Sequence, residues 1–199
     1  MAKVVDYFFM PASPWSYLGH DRLVTIASRH GAAIRVLPVD LSKIFPVSGG
    51  LPLPKRAPQR QAYRLVELKR WREYLSMPLN LQPKFAASSG DKASHWILAA
   101  REAGEDAAVR LAGALLRARW AEERDIADPA TLAAIARECG IDADRLATRA
   151  DGAEFAAVYD AATQEAIDRQ VFGAPTYIYR DEPFWGQDRL DFLDRALAQ

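Results

Sequence analysis

The chain has 199 residues, half of them hydrophobic, and its 26 basic side chains balance 26 acidic ones. That size fits one domain, or one domain with a large insertion, and without a cationic surplus neither nucleic acid nor an anionic membrane is an expected partner. A single cysteine, Cys139, excludes an intrachain disulfide, no apolar run nears the about 18 residues that span a bilayer, and Met1-Ala2-Lys3-Val4-Val5-Asp6 lacks a signal peptide's apolar core, so the expectation is a soluble cytoplasmic protein.

Residues 4–10 are β-branched and aromatic and read as a buried strand, stopped by Pro11, Ser13 and Pro14. A helix is predicted over about 15–30, with Ser13 as N-cap and Pro14 at the first helical position. Leu18, Leu23, Ile26 and Ala27 form its apolar stripe, and Gly31 suits its end. Residues 34–39 read as a second strand, which completes a βαβ opening. A loop rich in Pro and Gly is expected over 42–58.

The pattern is then helical for roughly a hundred residues. Tyr63, Val66, Leu68, Trp71, Tyr74 and Leu75 recur near helical spacing. Further helices are predicted over 94–104 and 107–123, from Asp128-Pro129 to Cys139-Gly140, and over 142–148 and 153–170. Residues 175–179 return to strand, 181–182 form a turn, and Pro183-Phe184-Trp185 starts a short strand with proline where no ladder donor is needed. Gly186-Gln187-Asp188 opens a last helix through Leu197. The expected fold class is α/β: a βαβ unit and a ββα unit forming one sheet, separated in sequence by a large all-helical insertion. The division expected is 1–42 with 168–199 for the sheet domain and 43–167 for the insertion.

Three places in this arrangement carry chemistry. Sites of α/β sheets lie beyond the carboxyl ends of strands, often at a helix N-terminus, and Ser13 sits there. Unpaired N–H groups and the positive end of the helix dipole favour an anion, such as a thiolate. A hydroxyl donates to sulfur without reacting itself, although Ser13 also fits a plain helix cap. The second place is Phe172-Gly173-Ala174-Pro175-Thr176-Tyr177. A cis Pro175 would leave the Ala174 backbone as a strand edge able to pair with an extended peptide such as glutathione. The third is Trp185-Gly186-Gln187-Asp188-Arg189, where a helix start suits the γ-glutamyl carboxylate and Asp188 its ammonium, or where the residues only cap a helix. Scattered His20, His30 and His95 have no metal-ligand spacing; His20 and Cys139 read as structural.

Ser13-Pro14-Trp15-Ser16-Tyr17-Leu18-Gly19, Val171 to Thr176 and Phe184 to Leu190 together resemble the active-serine, cis-proline and terminal segments of 2-hydroxychromene-2-carboxylate isomerases and kappa-class glutathione transferases. Arg60-Gln61-Ala62-Tyr63-Arg64-Leu65 resembles the start of their helical insertion. The resemblance runs in order through essentially the whole chain. It implies a thioredoxin-like sheet interrupted by helices, usually a homodimer, with glutathione as cofactor. Ser13 would hydrogen-bond the thiolate, Ala174 would pair by its backbone with the cysteinyl moiety beside cis Pro175, and Gln187 and Asp188 would take the γ-glutamyl end. Arg60 falls where the family carries a lysine toward the glycyl carboxylate or an acidic substrate.

Departures are Met10, where many members have aspartate, Gly50 in place of an asparagine, and a plain Ala86 to Gly90 stretch. The reaction implied is reversible thiolate addition to a small aromatic or unsaturated carboxylate, followed by bond rotation and elimination. Trp15, Tyr17 and Phe45 are candidate contacts for a planar substrate, or core. A transferase that keeps the adduct and a non-catalytic binding domain are the alternatives. A thiol–disulfide oxidoreductase is set aside because Ser13 and Ser16 occupy the two cysteine places.

Overall fold

The computed structural model describes residues 2–199. Its sheet has the strand order β2-β1-β3-β4. β1 (Val4–Phe9) lies parallel to β2 (Ala33–Pro38), from Val4 opposite Ala33 to Phe9 opposite Pro38. β3 (Thr176–Tyr179) runs antiparallel on the other side of β1, with Phe8 opposite Thr176. β4 (Glu182–Trp185) is the antiparallel edge, and Pro183 there is tolerated because one side of an edge strand needs no donor. The pairing of Phe8 with Thr176 brings the end of β1 and the start of β3 to one end of the sheet.

α1 (Pro14–Arg29) crosses from β1 to β2. Between β2 and β3 come α2 (Leu41–Ser48), α3 (Pro58–Tyr74), α4 (Asp91–Ala100), α5 (Glu105–Trp120), α6 (Pro129–Glu138), α7 (Ala143–Ala150) and α8 (Ala153–Asp168). α9 (Leu190–Leu197) follows β4 through a 3₁₀ turn, Gln187–Arg189, where a continuous helix was expected. The thioredoxin-like α/β class expected from the sequence is the fold observed.

Strand alternation sends side chains to two cores. Val5, Tyr7, Phe9, Tyr177 and Tyr179 join the larger one, with Leu18, Leu23 and Ile26 of α1, Leu111 and Leu115 of α5, and Leu190, Leu193 and Leu197 of α9. Phe8, Leu37 and Ile178 point the other way, against Leu41 and Ile44 of α2 and Ala162 and Ala166 of α8. On that side Arg35 and Arg169 both bond the Asp6 carboxylate and also meet Glu165, which ties β1, β2 and α8 together.

One expectation is corrected, and one helix that was expected buries less than its pattern suggests. The segment expected as loop over 42–58 begins with α2, whose N-cap Asp40 accepts from the Ser42 N–H at 2.8 Å. Burial of Leu41 and Ile44 holds this short helix despite Pro46, and Gly49 ends it at φ 75°. In α3, only Leu68 of the apolar series is fully buried; Tyr63, Val66 and Tyr74 are exposed. Cys139 is half-buried at the rim of the larger core.

Candidate active site

Ser13 begins the site. Its φ and ψ of −90° and 123° are those of an N-cap, and its Oγ accepts from the Ser16 N–H at 3.2 Å. A hydroxyl that accepts still has a proton to donate, and no acceptor for it lies among the described residues. The Trp15 N–H, second in the helix, likewise has no partner there, because first-turn N–H groups have no carbonyl four residues back within the helix and this turn holds no acid. Two uncommitted donors at a helix's positive end suit an anion. Ser13 is only 4 % exposed.

A cavity of about 540 Å³ opens beside this turn, lined by Trp15, Arg60, Ala174, Pro175, Gln187 and Asp188 among others. That volume lies in the range of roughly 300–1,000 Å³ used for small-molecule ligands. Five of the six expected site residues therefore share one cavity; Ser13 lies outside its lining, two residues before Trp15. The Ala174–Pro175 bond is cis. Pro175's carbonyl accepts from the Gly186 N–H at 2.9 Å, which joins the second and third expected segments.

Gln187 is buried, and Arg22 donates to both its side-chain Oε1, at 2.9 Å, and its backbone carbonyl, at 3.0 Å. This arginine of α1 escaped the sequence reading because 165 residues separate the partners. It orients Gln187 so that the Nε2 donors remain for a ligand. Asp188 pairs with Arg189 at 2.8 Å through one carboxylate oxygen. Gly19 permits the close approach of α1 to this wall: a Cβ there would lie 2.5 Å from the Tyr177 hydroxyl and 2.9 Å from Gln187 Cβ.

Of the three aromatic candidates, only Trp15 lines the cavity. Tyr17 is buried and donates to the Pro78 carbonyl at 2.7 Å; burial, then the Asp21 charge, pushes its hydroxyl up to about 12. Phe45 packs beneath Gly50. Sequence reasoning missed Arg64 and Trp71 in the cavity wall and did not weigh Arg56 there, although the four-residue spacing of Arg56, Arg60 and Arg64 was a readable signal.

Behind Ser13, His20 is 4 % exposed and stacks obliquely on Tyr7, whose ring lies over Tyr177. Burial lowers the His20 imidazole to about 4, against smaller opposing effects of Asp21 and the Val109 backbone. It is a neutral core side chain, as the sequence suggested.

This architecture is that of the DSBA-like thioredoxin domains, and the chain belongs to that family, whose pattern matches residues 4–198. Its curated relatives narrow the class. A 2-hydroxychromene-2-carboxylate isomerase of Sphingobium xenophagum is 32 % identical over 199 residues, covering 99 % of both chains. Within the DSBA-like domains the chain is thus a member of the 2-hydroxychromene-2-carboxylate isomerase family. A solved structure of such an isomerase superposes with a TM-score of 0.83 at 28 % identity, over 98 % of this chain and 94 % of that one. A Glutathione s-transferase kappa 2 of Caenorhabditis elegans is 26 % identical, covering 99 % of this chain and 92 % of its own.

Proposed function

We propose that the protein is a glutathione-dependent isomerase, interconverting 2-hydroxychromene-2-carboxylate and trans-o-hydroxybenzylidenepyruvate or a related aromatic catabolite. The observation that carries this reading is the Ser13 hydroxyl, whose oxygen caps α1 while its proton stays uncommitted. The names borne by the full-length relatives support the reaction class and the use of glutathione.

The residues present fit glutathione. Ser13 and the Trp15 N–H would donate to its sulfur, and the strand edge at Ala174 and Pro175 would receive its cysteinyl backbone. Gln187 Nε2 would donate to the γ-glutamyl carboxylate and the free oxygen of Asp188 would take the ammonium. Arg60, which has no carboxylate partner among the described residues, would hold the glycyl carboxylate. When bound, glutathione supplies a thiolate able to add reversibly to an unsaturated carbon, so that a former double bond can rotate. The chain's main work is electrostatic: Ser13 and the amino end of α1 favour the sulfur anion over the thiol. In this reading the helical block 43–167 is an insertion in a sheet domain of 1–42 and 168–199, and the protein acts in the cytoplasm as a homodimer.

The experiment is product analysis of 2-hydroxychromene-2-carboxylate treated with purified protein, with and without glutathione. Conversion to the trans benzylidenepyruvate only when glutathione is present is expected. Conversion indifferent to glutathione would refute the proposal. The transferase-named relative favours a second reading, in which a stable glutathione adduct accumulates instead.

A further inference from the structure

Arg56, Arg60 and Arg64 line the same cavity. Arg60 and Arg64 are one turn apart on α3, and Arg56 lies four residues before Arg60, just ahead of the helix. Among the described residues no carboxylate meets any of the three. Arg56 Nε donates to the Leu51 carbonyl at 2.8 Å, a neutral partner. The two carboxylates in the wall are engaged elsewhere: Glu67 with Arg70 at 2.7 Å and Asp188 with Arg189 at 2.8 Å.

Burial, then the neighbouring Arg60 charge, pulls the Arg56 guanidinium below its ordinary value; burial and then Arg56 do the same at Arg64. Arg56 and Arg64 are half-buried beside an exposed Arg60; like charges without counter-ions there are costly, and a bound anion relieves them. Trp15, Tyr63, Trp71 and Trp185 add aromatic faces to the same cavity.

The charge count exceeds what the reading above uses, and the inference rests on that reading for Arg60. The glycyl carboxylate of glutathione occupies one arginine, while its γ-glutamyl end carries its own ammonium. Arg56 and Arg64 are left. Each presents a planar fork that matches one carboxylate. The substrate printed in the relatives' name has a single carboxylate. We infer that, among the related aromatic compounds this site can take, the preferred acceptor carries two ionised acid groups, held by Arg56 and Arg64 with its ring against the aromatic wall.

The test uses terephthalate and benzoate as probes, titrated calorimetrically into the full chain, and measures glutathione binding separately. Terephthalate should bind at least about tenfold more tightly than benzoate, as one additional charge-assisted contact warrants. Arg64→Gln should remove most of that preference, with Arg64→Lys intermediate because it keeps the charge but loses the fork. Equal affinity for the two acids, or an undiminished preference in both Arg56→Gln and Arg64→Gln, would overturn the inference. A preserved diacid preference in a protein that does not bind glutathione would support the anion site and remove the glutathione reading instead.

Discussion

Acidification should destabilise this protein well above the pH at which its carboxylates protonate, because of His20. The folded imidazole is lowered to about 4 chiefly by burial, against 6.5 for the exposed side chain. Between those values the unfolded chain binds the proton and the folded chain does not, so stability falls as pH drops. From neutral pH the loss is about 2 kcal/mol by pH 5 and about 3 kcal/mol by pH 4, at 1.36 kcal/mol for each unit of difference. The assay is urea unfolding followed by circular dichroism between pH 4 and pH 8, for the native chain and His20→Gln. The variant keeps a polar side chain but cannot titrate, and its stability should vary much less across pH 4.5–6.5. Equal slopes for the two proteins would refute the argument.

Three further outcomes follow from the packing. Ser13→Ala should cost about 1 kcal/mol through loss of the cap to Ser16, whereas Ser13→Asp should retain most of that stability yet abolish turnover by repelling an anion; thermal melts and activity assays separate the two effects. Gly19→Ala should cost about 1–3 kcal/mol, because its methyl meets Tyr177 and Gln187, and should weaken glutathione binding by moving Gln187, which calorimetry would register. Asp6→Asn should lower stability at neutral pH. At Asp6 burial opposes the charge but hydrogen bonds from Arg35 and Arg169 outweigh it, so the carboxyl is held below its ordinary value. The gap between native and variant chains should therefore close as pH falls below about 4, and a constant gap down to pH 2.5 would count against that reading.

The parts of the fold legible in the sequence are those whose local signals and burial agree. Ser13 followed by Pro14, the alternation through β1 and the stripe of α1 all point to one structure. α2 was hidden because Pro46 and Gly49-Gly50 look like loop residues, while its support comes from Leu41 and Ile44 packing on α8, a contact distant in sequence. α3 shows the converse: its apolar residues recur at helical spacing, yet only Leu68 is fully buried. In the cavity wall, helix and strand ends announced Ala174, Pro175, Gln187 and Asp188, with Ser13 two residues from Trp15. The grip of Arg22 on Gln187 depends on α1 and the last 3₁₀ turn meeting in space, and nothing local encodes it.

The proposed chemistry turns on whether the amino end of α1 holds a sulfur anion through Ser13. Ultraviolet absorbance of the thiolate, followed against pH for glutathione bound to the native chain and to Ser13→Ala, measures it most directly. In the native chain the bound thiol should ionise below free glutathione, and in Ser13→Ala it should return toward the free value. Identical ionisation in the two proteins would contradict that chemistry.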